Sequence, residues 1–185
     1  MLIRNIVRGA TLLIAAAAMP VLAAEEAAVK QSGAEIRLPA PPKGKGQVVF
    51  YRKGGLQGSA VACSVFEAGK KISSLGGGKY FIAVKESGRH EFSVKTEATD
   101  LLALEVEADE TQFASCKIKM GFMVGRPDIR PSTEAEFRGM KALRLVDTED
   151  MGEGALRPEQ IKAALDGAAP ASIPTETSAP VAAAQ

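Results

Sequence analysis

The sequence is poor in the side chains from which most catalytic and metal sites are built. It has no tryptophan, two tyrosines, two cysteines and one histidine, His90. A Ser-His-Asp or Cys-His arrangement would have to use His90, and a structural zinc site needs about four Cys or His ligands. We therefore expect no cofactor, no metal and no catalytic residue, and we expect His90 to form structural hydrogen bonds at a turn.

An excess of charge of one sign is also lacking. The chain has 23 Lys+Arg and 22 Asp+Glu. Binding to nucleic acid or to an anionic membrane surface usually relies on many clustered cations. The near-neutral balance therefore argues against nucleic acid as a partner.

The N-terminus has the order of regions found in an export signal. Arg4 and Arg8 precede an apolar, alanine-rich run, and small residues follow it. This apolar stretch of about 16 residues contains Pro20 and is shorter than the roughly 20 residues of a membrane span. We predict a signal peptide over residues 1–23 and no membrane span. No Cys lies near the cleavage site, so we expect a periplasmic or secreted protein without a lipid anchor.

Composition divides the rest of the chain into a central domain and two irregular ends. Residues 24–45 lack a sustained apolar period and end in a proline-rich run, so we predict a flexible leader. Residues 168–185 are mostly Ala, Pro, Ser and Thr, and we predict a disordered tail. Between them we predict a β-sandwich domain over residues 46–147, then an acidic loop and a short helix beginning at Pro158 within residues 148–167.

The central domain shows short alternating runs of apolar and polar residues, separated by Gly-containing turns. This pattern is typical of all-β folds, and we predict an antiparallel β-sandwich of about seven to eight strands, similar to an immunoglobulin domain. Near the end of the domain, for example, Ala114, Cys116 and Ile118 share one strand face. The predicted strands are 47–52, 60–66, 71–75, 79–85, 90–96, 101–107, 112–120 and 140–147.

Cys63 and Cys116 are predicted to form a disulfide. An exported chain with two cysteines enters an oxidising compartment. Each Cys is in phase with apolar residues of its strand, so both are expected to point inward, where they can meet across the two sheets. The alternative is two separate buried thiols.

One segment, residues 121–139, has no clear period and is long for a connection in a compact domain. It combines arginines with large apolar residues, which are enriched at protein interfaces. One interpretation is a structural crossover between the sheets, with Thr133 to Glu136 capping a short helix. The other, which stays open, is a partner-binding loop. The candidate contact residues are Phe122, Met123, Arg126, Arg130, Phe137 and Arg138.

The acidic run at residues 147–153 is similar in part to a calcium-binding loop. In an EF-hand register that begins at Asp147, however, the fifth position is Met151 and the twelfth is Pro158. Neither residue has a side-chain oxygen that could bind calcium. We expect a solvated loop.

Four short pieces of the sequence together are similar to a known family. They are residues 41–52, 69–72, 78–81 and 87–92. Their spacing resembles that of the bacterial domain-of-unknown-function 2846 family over about residues 40–120. The resemblance implies a small exported or envelope-attached β-sandwich, near in style to the PEGA domains of bacterial surface proteins. It implies no activity.

The sequence is interpreted as that of a non-catalytic binding or structural component of the bacterial envelope. Its partner is expected to be an envelope protein or a cell-wall component. Two alternatives remain open. One is a small-ligand or carbohydrate-binding periplasmic module, which exposed aromatic residues around a concave pocket would favour. The other is a periplasmic hydrolase, which a carboxylate beside His90 in a cleft would favour.

Overall fold

The computed structural model describes residues 29–55, 61–95, 99–119 and 125–167, and within these ranges it has nine strands and two α-helices. The predicted signal peptide and the predicted tail lie outside the described residues. The strands are β1 (Lys45–Tyr51), β2 (Cys63–Glu67), β3 (Lys70–Leu75), β4 (Lys79–Glu86), β5 (Gly88–Lys95), β6 (Thr99–Val106), β7 (Thr111–Lys119), β8 (Arg126–Ser132) and β9 (Arg144–Leu145). The helices are α1 (Glu134–Arg138) and α2 (Pro158–Leu165).

Most of the predicted strands are present. The first seven correspond to β1–β7, with ends that differ by no more than about three residues, the usual uncertainty of element boundaries. The strand predicted at residues 140–147 is reduced to the two residues of β9. The described part of the segment predicted as an irregular loop, residues 125–139, instead contains β8 and α1, so that prediction was wrong about its backbone.

The strands form two sheets, which confirms the predicted β-sandwich. The larger sheet has the order β8-β7-β1-β4-β9, and the smaller sheet has the order β3-β2-β5-β6. The larger sheet is mixed rather than antiparallel, because β1 pairs with β7 and β4 pairs with β9 in parallel. Parallel neighbours need a long crossover connection. The chain between β1 and β7, which includes the whole smaller sheet, supplies the first of these.

The space between the sheets is filled by aromatic and aliphatic side chains. Phe50 stacks on Phe81 with ring centroids 4.9 Å apart and meets Phe92 edge to face at 5.0 Å. The predicted disulfide is confirmed in this core, where Cys63 of β2 is joined to Cys116 of β7 with Cα atoms 6.6 Å apart. Both cysteines are fully buried, so the bond connects the two sheets inside the sandwich.

The other face of the larger sheet is also buried, beneath chain segments from both ends of the domain. Ile36 from the leader and Phe137 from α1 are 2% and 0% exposed and belong to this second core. Gln31 and Leu143 exchange two main-chain hydrogen bonds of 2.7 Å. The part of the predicted flexible leader that begins at residue 29 is therefore packed onto the sheet, and the prediction was wrong for it. The segment is held by the buried side chains of Ile36 and Pro39 and by hydrogen bonds to distant residues, and these contacts leave no periodic signal in the sequence.

The acidic segment after β9 connects the two sheets along one side of the sandwich. Gly152 donates its main-chain N–H to Ile72 of β3, and Leu156 donates to Ile82 of β4, at 2.7 and 2.8 Å. A Cβ atom on Gly152 would lie 2.2 Å from the carbonyl oxygen of Lys71, so only glycine fits there. Helix α2 follows with Pro158 at its first turn, as predicted. No helix among the described residues is long and apolar enough to cross a membrane.

Candidate functional site

The exposed face of the β7–β8 hairpin carries four basic residues, which we call the basic surface: Lys117, Lys119, Arg126 and Arg130. In the hairpin register, Lys119 lies opposite Arg126 and Ser115 lies opposite Arg130. Because side chains alternate along a strand, residues 115, 117 and 119 share one face with residues 126, 128 and 130. All four basic residues are exposed, so β7 and β8 present them together to solvent.

Asp128 is the acidic residue at the centre of this surface. Its carboxylate oxygens lie 2.9 Å from Lys119 Nζ and 2.8 Å from Arg130 Nε. Desolvation of Asp128, whose side chain is 12% exposed, acts to raise its pKa, but the hydrogen bonds and charges of Lys119 and Arg130 outweigh it and leave the pKa below its ordinary value. Asp128 thus stays ionised and holds two of the four cations in place.

The free edge of β8 is closed to further strand pairing. The main-chain N–H of Ile129 points away from β7 and donates to Asp100 of β6 at 2.8 Å. Pro127 and Pro131, two residues to either side, occupy positions whose nitrogen points the same way and have no N–H to offer. The prolines therefore cost no bond to β7, and they prevent another strand from adding at this edge.

Two of the predicted contact residues have structural roles instead. Phe137 is fully buried and packs against Tyr51, Tyr80 and Phe113 at centroid distances of 5.4, 5.9 and 5.5 Å. Its side chain has no surface to present to a partner, so its assignment as a contact residue was wrong. The five-residue helix α1 is too short for its buried side to be read from sequence periodicity.

Arg138 holds the leader in place. Its guanidinium donates to the carbonyl oxygens of Gly33 and Ile36 and pairs with Glu134 at 3.0 Å. Its side chain is 32% exposed, and these bonds account for its position without a partner protein. The other two predicted contact residues, Phe122 and Met123, lie outside the described residues.

Helix α1 begins with the capping box that the sequence predicted as the alternative for this segment. Thr133 Oγ1 accepts from the main-chain N–H of Glu136, and the Glu136 carboxylate accepts from the main-chain N–H of Thr133. The reciprocal bonds satisfy N–H groups that a helix start leaves unpaired. They fix the direction of α1 and hence the burial of Phe137.

His90 lies between two acceptors near one end of the sandwich. Its Nδ1 is 2.6 Å from a carboxylate oxygen of Glu67, and its Nε2 is 2.9 Å from the main-chain oxygen of Glu86. Glu67 also accepts a hydrogen bond from Lys85. Burial raises the pKa of Glu67, but the bonds from Lys85 and His90 outweigh it and leave the pKa below its ordinary value. Both ring nitrogens are thus engaged, so neither is directed at a position where a substrate could bind.

The acidic run after β9 surrounds a lysine. Lys79 Nζ pairs with Asp147 and lies 3.6 Å from Asp150, and its side chain is only 11% exposed. The hydrogen bond from Lys79 lowers the pKa of Asp147 and outweighs the effect of burial. The charges of Asp147 and Asp150 are therefore balanced by a lysine of the same protein. In the described part of the chain, no group of His, Cys, Asp and Glu side chains is arranged to hold a metal ion.

The sequence contained a signal for the basic surface that the prediction used only in part. Residues 126–132 alternate between polar and apolar positions, as a strand requires. Pro127 and Pro131 occupy two of the apolar positions, however, and because proline is rare inside strands, the run resembles a loop. Once β8 is paired with β7, Lys117 and Lys119 join Arg126 and Arg130. Two residues of the basic surface were thus predicted, and two were missed.

Comparison with known proteins identifies the family but no relative of known activity. No curated protein and no solved structure matches the chain. A family model described as a protein of unknown function (DUF2846) matches residues 42–126, which extend from the turn before β1 to the first residue of β8. The resemblance noted in the sequence is thereby confirmed, and residues 42–126 of the chain match the DUF2846 family.

Proposed function

We propose that this protein is a non-catalytic binding module of the bacterial envelope, which acts outside the cytoplasm and binds its partner through the basic surface. The disulfide between Cys63 and Cys116 supports an oxidising compartment, where such bonds form and persist. The N-terminal sequence, with its two arginines, apolar run and small residues, supports export.

The observation that carries this proposal is the pairing of like charges on β7 and β8. Lys119 and Arg126 are directly opposite each other on one exposed face, and like charges in this arrangement destabilise a sheet. Asp128 is drawn toward Lys119 and Arg130, which leaves the repulsion at Arg126 only partly relieved. Stability of the sandwich therefore does not explain the charge pattern, whereas recognition of a partner does.

The chemistry of the surface indicates an anionic partner. Arg126 and Arg130 are four residues apart on one strand, which places their Cα atoms about 13 Å apart. Two guanidinium groups at this spacing can each form paired hydrogen bonds with a carboxylate or a phosphate. An acidic face of an envelope protein or an anionic cell-wall component has the complementary chemistry.

The environment of His90 supports the non-catalytic part of the proposal. A general base needs a nitrogen within reach of substrate. Both nitrogens of His90 are instead bonded within the protein, to Glu67 and to the main chain of Glu86. We expect His90→Ala to complement a deletion strain, provided that the variant folds.

The proposal is tested by removing the two arginines and comparing binding to isolated envelopes. The double variant Arg126→Ala, Arg130→Ala should bind the envelope fraction of the native bacterium about tenfold more weakly or worse, because it loses two charge-assisted contacts. The matched control is Lys71→Ala, Arg89→Ala, which removes two exposed cations from the smaller sheet and should bind normally.

Salt provides a second measurement on the same proteins. Binding of the wild type should weaken between about 50 and about 200 mM salt, because exposed charges are screened over a shorter distance at the higher concentration. The arginine variant should have a smaller salt dependence than the wild type. Equal binding by the arginine variant, the control and the wild type would contradict the proposal.

A further inference from the structure

The outward-facing side of the β7–β8 hairpin, which carries the basic surface, consists of three rows of paired residues. The rows are Lys119 opposite Arg126, Lys117 opposite Asp128, and Ser115 opposite Arg130. The first row has two positive charges, the second has one charge of each sign, and the third has one positive charge. The basic surface therefore has two positive ends, which are separated by a row without net charge.

Asp128 lies between the two ends and holds one cation from each. Its carboxylate oxygens are 2.9 Å from Lys119 Nζ and 2.8 Å from Arg130 Nε. Both contacts favour the ionised form of the carboxylate. An anion placed at the centre of the surface would therefore meet a negative charge, whereas an anion at either end would lie beside cations.

Each end keeps guanidinium groups that can donate to an anion. Among the residues that the structure describes, Arg126 takes part in no hydrogen bond or ion pair. Arg130 bonds to Asp128 through Nε, and within the same part of the chain its two Nη atoms have no partner. Guanidinium groups bind carboxylate or phosphate oxygens through paired hydrogen bonds, so each end can hold one anionic group.

The spacing of the two ends limits the kind of anion that can occupy both. Arg126 and Arg130 are four residues apart on β8, so their Cα atoms are about 13 Å apart. The bond from Arg130 to Asp128 draws the Arg130 guanidinium toward the middle row. Since successive rows are about 7 Å apart, two anions bound at the ends would be separated by about 7–13 Å. A single carboxylate or phosphate group cannot span this distance.

We propose that the basic surface binds a linear anionic polymer of the envelope, with one anionic group at each end of the surface and Asp128 between them. The inference rests on the proposed function and adds the chemistry and spacing of the partner. The residues of the three rows are all charged or hydroxyl-bearing, whereas the centre of a protein–protein interface is usually apolar and poor in lysine. A polymer with repeated anionic groups can contact both ends without an apolar centre.

The test uses peptides that hold two carboxylates at a known spacing. The probe is the acetylated and amidated peptide Asp-Pro-Pro-Asp. Its polyproline helix has three residues per turn and rises about 3.1 Å per residue, which places both Asp residues on one side, about 9 Å apart. The control peptide Asp-Asp-Pro-Pro has the same composition and charge, but its two Asp residues are neighbours.

Binding of the two peptides is compared by NMR titration of the ¹⁵N-labelled wild type. The probe should shift the amide signals of the three rows and should bind at least about tenfold more tightly than the control, because only the probe reaches both ends. Equal affinities would overturn the inference, and so would the absence of shifts at the solubility limit of the probe. Neither result bears on the proposed function, which the envelope binding of the arginine variant tests separately.

Two variants test the role of Asp128. Asp128→Asn removes the central charge and weakens the hold on Lys119 and Arg130, so the preference for the probe should fall to less than about twofold. Glu91→Gln is the matched control, because it removes an exposed carboxylate from the smaller sheet and should keep the preference of the wild type. Retention of that preference by Asp128→Asn would overturn the inference. The comparison of the two peptides on the wild type does not require the variant to fold.

A further measurement decides between a polymer and a protein as the partner. Isolated envelopes are digested with a protease of broad specificity, which is then inactivated, and they should bind the wild type as well as untreated envelopes do. Loss of binding after digestion would show that the partner is a protein. The inference of a polymer would then be wrong, whereas the proposed function, which requires only an anionic partner, would stand.

Discussion

Removal of the disulfide should cost this domain a large part of its stability. The bond joins Cys63 to Cys116, 53 residues apart in sequence and on different sheets. In the chain-entropy model, a cross-link that closes a loop of this length contributes about 4 kcal/mol to the free energy of unfolding. Its removal should lower that free energy by the same amount. Small domains have a total stability of about 5–15 kcal/mol, so the reduced protein should be close to its limit.

The assay is urea unfolding of three samples: the oxidised wild type, the wild type in reductant, and the double variant Cys63→Ala, Cys116→Ala. With a slope of about 2 kcal/mol per M, a loss of about 4 kcal/mol shifts the midpoint down by about 2 M. The double variant should be insensitive to reductant and slightly less stable than the reduced wild type, because it also loses the buried sulfur atoms.

The result that would refute this reasoning is a reduced wild type whose midpoint lies within about 0.5 M of the oxidised one, which corresponds to about 1 kcal/mol. The cross-link would then constrain the unfolded chain far less than its span implies. Thiol titration of the unfolded, unreduced protein is the necessary control. It should detect no free thiol before reduction and two after it.

Three further predictions follow from the buried contacts. Phe137→Ala should lower the free energy of unfolding by about 3–5 kcal/mol, whereas binding of the folded fraction to envelopes should not change. Weaker binding at equal folded concentration would show that Phe137 is a contact residue after all. Arg138→Ala should speed tryptic cleavage at Arg37, because the leader loses its bonds to the Arg138 guanidinium. The control Arg130→Ala should leave the cleavage rate unchanged. Equal cleavage rates in the two variants would contradict the anchoring role of Arg138. The folded-state pKa of Glu67 lies below its ordinary value of 4.5, so the stability that this carboxylate contributes is present above about pH 4.5 and is lost as the pH falls through the lower folded value. The difference in urea midpoint between wild type and Glu67→Gln should therefore be largest near neutral pH and should shrink in acid, and a difference that is independent of pH would count against the pairing with Lys85 and His90.

The strands that could be predicted from the sequence are those in which local pattern and tertiary position agree. In β7, for example, Ala114 and Cys116 face the core while Lys117 and Lys119 face solvent, and the alternation is visible without knowledge of the fold. The inward phase of the two cysteines followed from the same alternation, which is why the disulfide was predictable.

The parts that could not be predicted depend on contacts between distant residues. Strand β8 contains two prolines, which are compatible with a sheet only because their main-chain nitrogens point away from β7. That direction is set by the register of the pairing with β7. The leader is held by Ile36 and by bonds to Leu143 and Arg138, more than 100 residues away in the chain. No local pattern encodes such a contact. The two arginines were recognised by their residue type, but the lysines that complete the basic surface required the register of the hairpin.

The position of β1 in the sheet has a consequence for how the protein acquires its structure. β1 lies in the middle of the larger sheet, and its parallel neighbour β7 is distant in sequence, with Gln47 bonded to Thr111 across 64 residues. β1 and β7 can pair only after the chain between them has been made and its ends have met. Such non-local pairings are associated with folding in milliseconds to seconds rather than microseconds. The leader, which bonds to residues beyond β8, must dock later still. Until β7 has been made, β1 can pair within its sheet only with β4, so one edge of this central strand stays open throughout the synthesis of the smaller sheet.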